Sequence, residues 1–290
     1  SENVRAQIDE SVVRELKSHA ARMGTTLFSL LLGAYQALLH RISNKERILV
    51  AFPSAGQNRP GKEDLVGHCV NFLPLVADIN PSRKFSDFLN DTQGDLLDAL
   101  EHQDYTFGQL LKHFDTADRP NIEAVFNFEK ISSVGEFSGL KTEMEDVERQ
   151  FAINPLFLSI LERKEGLELN LTFQTELFSS ETVEHWLCAY ASMLEESLRT
   201  PEATIGELAS TMSPKQITLL NEWNATQTDY PRNSSISQVF DQIAEDHPKN
   251  IALQSKNGAT SYSNLKSRVD SIASKIAGSG VRNGERVVIF

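Results

Sequence analysis

At 290 residues with a formal charge of −12, the chain is long enough for two domains of ordinary size. It is also too acidic for a nucleic-acid partner, which would call for clustered Lys and Arg. No window reaches the roughly 20 apolar residues of a membrane-spanning helix. Two cysteines far apart, Cys69 and Cys188, give neither a disulfide framework nor a zinc spacing. With no basic, apolar leader, the expected compartment is the cytoplasm, with no membrane and no nucleic-acid partner.

Residues 9–24 read as an amphipathic helix. Asp9 is a candidate N-cap, Val12, Val13, Leu16, Ala20 and Met23 form the apolar stripe, and Gly24 stops it. Thr25 or Thr26 caps a strongly apolar helix that runs to residue 43; Ser29, Gly33, Gln36 and His40 interrupt it, which suits a buried core helix. RILVAFP (47–53) is a buried strand, and SAGQNRPGKED (54–64) is a loop by its Gly, Pro and polar content. A strand over 71–79, a long helix over 84–103 and a short one over 106–114 follow.

The period then changes to two. IEAVFNFEK (122–130), LKTEMEDV (140–147), PLFLSILERK (155–164) and LELNLTFQTELF (167–178) are four strand candidates, with ERKEG a hairpin turn between the last two. Phe126, Phe128, Phe157 and Phe173 fall on alternating positions and are expected in the core. A capped amphipathic helix spans 179–199. Between 209 and 235 the composition shifts to a short helix and a polar stretch with Pro231, which reads as an interdomain linker. A second unit begins with a helix over 235–248 and a strand over 250–255, continues through TSYSNLKSRVDSIASKIAGSG, and ends on GERVVIF, expected to be a buried strand. That ending, and the first residue Ser1, suggest a piece of a longer polypeptide. GSGVRNGE (278–285) looks like a phosphate loop, but it leads toward a strand and not a helix N-terminus, so it reads as a helix stop and turn.

Several stretches, in this order, resemble the condensation domain of non-ribosomal peptide synthetases. LVGHCVNFLPL is similar to the family's Val/Ile-Gly-x-Phe-Val-Asn-Thr motif, and HQDYTFGQLL to its His-Gln-Asp-Tyr-Pro-Phe-Glu motif. RPNIEAVFNFEK resembles the Arg-Asn-Pro-Leu stretch and the strand after it, and FPSAGQNRP the Ala-Gly-Arg-x-Arg-Pro loop. LLNEWNATQTDYP resembles the joint to an adenylation domain, and TSYSNL that domain's first Leu/Thr-Tyr-x-Glu-Leu motif, which alone is a weak signal.

The resemblance implies an α/β fold: a chloramphenicol acetyltransferase-like two-layer sandwich lobe, plus a truncated α/β adenylation-domain start. Residues 1–208 would be the C-terminal lobe of a condensation domain, 209–235 the linker and 236–290 the start of the adenylation domain. The family's reaction is attack by the amine of an acceptor aminoacyl thioester on a donor acyl thioester. This lobe would contribute a tunnel wall and a docking surface for carrier proteins.

The family's catalytic His-His-x-x-x-Asp-Gly motif is not in this sequence, whose histidines are His19, His40, His68, His102, His113, His185 and His247. No residue here is therefore assigned a catalytic or metal-binding role, and the fragment alone is expected to be inactive. It carries no cofactor of its own; 4'-phosphopantetheine would arrive on carrier domains. The implied partners are the N-terminal lobe of the condensation domain, peptidyl and aminoacyl carrier proteins, and the rest of the adenylation domain. The alternative is a non-catalytic docking or scaffolding module. A free-standing acyltransferase is disfavoured because no His-x-x-x-Asp pair is present.

His68 and Cys69 are adjacent, so on a strand they point to opposite faces and cannot share one metal or one nucleophilic site; Cys69 is expected in the core, as free cysteines usually are. Gly67, His68 and Asn71 are the tunnel candidates. A glycine permits close approach, and an asparagine amide can meet the amides of a pantetheine arm. It can equally satisfy local backbone. Placing Asn71 in a tunnel and Cys69 in the core requires a bulge near Val70. His102, Gln103, Asp104 and Tyr105 invite a general-base reading, but at a helix C-terminus they read as a structural motif. Arg119 and Asn121, before a strand, read as turn anchors.

Overall fold

The structure is a computed structural model that describes residues 1–56, 64, 66–115, 119–131, 139, 151–210, 212, 214–256, 258–282 and 284–288. The chain divides into two units, Ser1–Glu222 and Trp223–Phe290.

The first unit is a two-layer α/β sandwich. Strand β1 (Glu2–Asp9) leads into helices α1 (Glu10–Arg22) and α2 (Leu27–Ser43), then strands β2 (Arg47–Ala55) and β3 (Val70–Asp78). Helices α3 (Phe85–Glu101) and α4 (Phe107–Leu110) and a 3₁₀ turn (Leu111–His113) precede strands β4 (Ala124–Lys130), β5 (Leu156–Arg163) and β6 (Gly166–Phe173). Helices α5 (Ser180–Arg199) and α6 (Ile205–Ala209) follow, and the boundary between the units falls within α7 (Pro214–Asn224). The six strands form one mixed sheet in the order β1-β6-β5-β4-β2-β3, parallel at β5–β4 and β4–β2 and antiparallel elsewhere.

Period-two patterning selects the covered face. Leu156, Leu158 and Ile160 of β5, with Leu167, Leu169, Leu171 and Phe173 of β6, join one core with α1, α2, α3 and α5. A one-residue slip in either strand would turn these side chains to the other face, so the pairing is held by burial. Helix α2 is apolar nearly all round, with residues 29–39 all buried, as expected for a helix inside the core and not at its surface. Thr26 caps it, its hydroxyl accepting from the Ser29 N–H. Tyr190 of α5 donates its hydroxyl proton to the Leu31 carbonyl at 2.9 Å, fixing α5 against α2.

Three expectations need correction. Phe126 and Phe173 are fully buried, but Phe157 is only half-buried, because it sits between Leu156 and Leu158 and so projects from the other face of the sheet. No closing strand forms over 285–288; Val287 and Val288 are exposed, and a β-branched run becomes a strand only where a neighbour takes its backbone groups. No bulge occurs at Val70: β2 and β3 pair without interruption through Ser54↔Asn71 and Ala55↔Val70. Strand β1 has no counterpart among the sequence-derived elements, and LKTEMEDV lies outside the described residues.

The second unit comprises α8 (Ile236–Asp246), the hairpin β7 (Ile251–Ser255) and β8 (Gly258–Ser261), and α9 (Tyr262–Gly278). Among its described residues only Ala244 is buried, while Ile236, Ile251, Leu253 and Ile272 are all exposed. Past α9, Gly280 and Gly284 adopt the left-handed conformation that stops a helix and turns the chain. Among the described residues, no helix is long and apolar enough to cross a membrane.

Candidate functional site

The two most specific motifs meet at one end of the sheet. Asn71 is the second residue of β3, on the same side of the strand as the buried Leu73 and Leu75. Its side chain reaches the turn between α3 and α4. Nδ2 donates to the Gln103 carbonyl at 3.1 Å and to the Tyr105 carbonyl at 3.3 Å, while the Phe107 N–H donates to Oδ1 at 3.3 Å. One amide thus satisfies three backbone groups that the end of α3 and the start of α4 leave unpaired. Ser54, facing Asn71 across the ladder, donates its hydroxyl to Gln103 Oε1 at 2.7 Å. The turn is therefore held from both β2 and β3.

The rest of the His-Gln-Asp-Tyr segment closes the turn on itself. His102 is the C-cap of α3, and its Nδ1–H donates to the Asp98 carbonyl at 2.8 Å. The Tyr105 N–H donates to the His102 carbonyl at 2.9 Å. The Tyr105 hydroxyl and His113 Nε2 share a hydrogen bond. Asp104 is exposed. Thr106 then caps α4 in a reciprocal box with Gln109: its hydroxyl accepts from the Gln109 N–H, and Gln109 Oε1 accepts from the Thr106 N–H.

Before β3, Gly67 has φ +154 and is exposed, as is His68. Cys69 is half-buried, not in the core. Its carbonyl accepts from the Gly56 N–H at 3.1 Å, one step beyond the β2–β3 ladder. A Cβ on Gly56 would lie 2.6 Å from that oxygen, so the approach requires glycine. The Cys69 misplacement follows from the unbroken register: without a bulge, the residue stays at the mouth of the hairpin. Arg119 and Asn121 are exposed on the segment entering β4, and neither joins the Asn71 cluster. Among the described residues, no group of three His, Cys, Asp or Glu is arranged to hold a metal ion.

Ser54, Gly56, Thr106 and Phe107 were not singled out from sequence. Thr-x-x-Gln at 106–109 is a capping-box signature and could have marked the α4 start. Ser54 and Phe107 carry no local signal, because their roles depend on which strand and which turn face them.

Beside this cluster the uncovered face of β3 shows Val70, Phe72 and Val76 at 46%, 39% and 42% exposure. These are unusually open for large apolar side chains on a strand. The site thus offers a hydrogen-bonded turn, an exposed glycine and histidine, and an apolar strip; the Tyr105–His113 pair closes the turn on itself.

The family described as Condensation domain matches residues 1–220. Surfactin synthase subunit 1 of Bacillus subtilis (strain 168) is 27% identical over 297 residues, which cover 100% of this chain and 8% of that protein. Tyrocidine synthase 3 of Brevibacillus parabrevis is 30% identical over 284 residues, 96% of this chain and 4% of that protein. A holo four-domain nonribosomal peptide synthetase solved with AMP and glycine superposes with a TM-score of 0.72 at 22% identity, over 98% of this chain and 23% of its own. The condensation domain from Monacolin K polyketide synthase gives 0.62 at 20% identity, over 70% of this chain and 48% of its own. The chain therefore spans less than a tenth of the length of these two curated relatives.

Proposed function

Because this chain belongs to the condensation-domain family, we propose that residues 1–208 are the C-terminal lobe of such a domain in a peptide synthetase, that 209–235 are its outgoing linker, and that 236–290 begin an adenylation domain. In the reaction of the parent enzyme, the acceptor amine attacks the donor thioester carbonyl. A C–N bond forms, the C–S bond breaks, and the donor thiol leaves. Holding both tethered substrates in one tunnel supplies much of the rate by proximity.

The observation that carries this reading is the Asn71 cluster. It joins the Gly-His-Cys-Val-Asn and His-Gln-Asp-Tyr motifs into one rigid edge beside an uncovered apolar strip. Gly67, His68 and Asn71 form one tunnel wall. Gly67 leaves backbone uncovered, and Val70 and Phe72 offer apolar surface, a mixture that suits the alternating amides and alkyl segments of a carrier's 4'-phosphopantetheine arm. The amide of Asn71 is already engaged with backbone, so its part is to position the wall. The reacting proton is handled by a histidine of an N-terminal lobe outside this chain, and the carrier proteins dock on both lobes. The exposed apolar faces of α8, β7 and α9 support the further proposal that the rest of an adenylation domain covers the second unit.

In a full synthetase containing this segment, Asn71→Ala should slow condensation while leaving aminoacyl loading at the parental rate, because loading belongs to the adenylation domain. Condensation at the parental rate would remove Asn71 from the tunnel wall.

A further inference from the structure

Edge strand β3 and helix α3 flank a cleft of about 440 Å³ that reaches down to α2. Its rim is acidic. Asp91, Asp95 and Asp98 recur along α3 at spacings of four and three, which places them on one stripe, and Asp78 ends β3 beside them. Among the described lining residues Arg83 is the one cation, and it is engaged by Asp91 and by the Asp87 carbonyl. Four lining carboxylates against one guanidinium leave a formal excess of three negative charges. Asp78 has a distant partner in the exposed Arg47, at 3.5 Å. Asp95 and Asp98 meet no cation among the described residues. The Asp95 carboxyl is held above its ordinary pKa, first by burial and then by repulsion from Asp91, Asp98 and Asp78.

The inner wall supplies an independent observation. Gln36 of α2 lines the cleft, is 2% exposed, and its Oε1 has no hydrogen-bond partner. A buried acceptor without a donor is costly and rare in a native interior. Leu75, Ala77 and Phe88 give the same wall an apolar surface. A cation with N–H donors and an apolar stem would complement both walls. A bare metal ion fits poorly, since among the described residues no three acidic groups converge on one point.

We propose that this cleft binds a small alkylammonium ion, a free diamine or polyamine, with one ammonium donating to Gln36 Oε1, another donating to the Asp95 and Asp98 carboxylates, and the methylenes lying along Leu75 and Phe88. The inference does not depend on the condensation reading.

The test is calorimetric titration of the full chain with putrescine and with spermidine at low ionic strength. Saturable one-to-one binding is expected, absent with tetramethylammonium, which has no N–H to donate. Asp95→Asn with Asp98→Asn should weaken it by about tenfold or more, from the loss of two exposed charge contacts. Glu181→Gln with Glu184→Gln, an equal charge change on α5, should leave it unchanged. Gln36→Leu should weaken binding while raising the thermal midpoint of the unliganded protein, because the orphaned oxygen is gone. No saturation with either amine, equal binding by the Asp95/Asp98 variant, or tighter binding of Mg²⁺ than of putrescine would overturn the proposal. Tighter binding of Nα-acetyl-lysine amide than of putrescine would also overturn it, assigning the cleft to a lysine of another protein.

Discussion

Asn71 and Gln103, 32 residues apart in sequence, are joined by a 3.1 Å hydrogen bond from the Asn71 amide to the Gln103 carbonyl. The bond ties the start of strand β3 to the turn just past the C-terminal end of α3. Through it, two motifs that read separately in the sequence become a single structural edge. Asn71→Ala should therefore lower stability by about 1–3 kcal/mol, since it strands two carbonyls and one N–H in a half-buried place. Asn71→Asp should cost at least as much. It can still accept from the Phe107 N–H, but it sets a carboxylate against the Gln103 and Tyr105 carbonyls. Urea unfolding monitored by circular dichroism measures both, with the midpoint falling and the slope unchanged. Parental midpoints for both variants would show that the turn holds without the clamp.

His19 should make stability fall as pH drops below neutrality. It is 3% exposed on the core side of α1, and its pKa is lowered, first by burial and then by Arg22. In the unfolded chain the imidazole takes up a proton near its ordinary value of 6.5, before the folded form does. The stabilisation from keeping it neutral is thus fully present above that value and is lost as pH falls toward the lower folded pKa. The slope from this one group is below about 1.4 kcal/mol per pH unit. Thermal midpoints between pH 7.5 and pH 5, on the order of the window where free imidazole titrates, should fall less steeply for His19→Gln than for the parent. Parallel curves would remove His19 from the account.

How much of this could be read beforehand varies by element. α1 and α5 were legible because their apolar residues repeat at helical spacing on one face; Val13, Leu16 and Ala20 are all buried. β1 was not legible. Its inward residues, Val4, Ala6 and Ile8, are small or few, and the intervening Asn3, Arg5 and Gln7 dilute the alternation; its partner β6 lies some 160 residues away and supplies the burial that makes it a strand. At the site, both roles of Asn71 were visible in its chemistry, but deciding between substrate and backbone required knowing that the turn at 103–107 folds back onto it. Cys69 stays out of the core because strand register overrides a free cysteine's preference for burial. The pairing Ala55↔Val70 leaves it just outside the ladder.

Proteolysis should separate the two units. Residues 225–235 contain neither helix nor strand and are exposed throughout, and the second unit buries only Ala244 among its described residues. Trypsin or a similar protease at low ratio should cut there, or within the second unit, well before it cuts the first. Amides of α8 and α9 should exchange hydrogen far faster than those of α2, β5 and β6. Equal protection of both units would contradict a second unit that depends on further chain for its core.

The role proposed for this chain is to supply the wall and not the reacting histidine of a condensation site. Its most direct test is amide formation from a donor-loaded and an acceptor-loaded carrier protein. The product is measured by mass spectrometry for the purified chain alone, and for the same residues joined to an N-terminal lobe bearing the histidine motif. The account predicts buffer background from the chain alone and product from the joined protein, slowed by Asn71→Ala. Amide formed above background by the chain alone would contradict it.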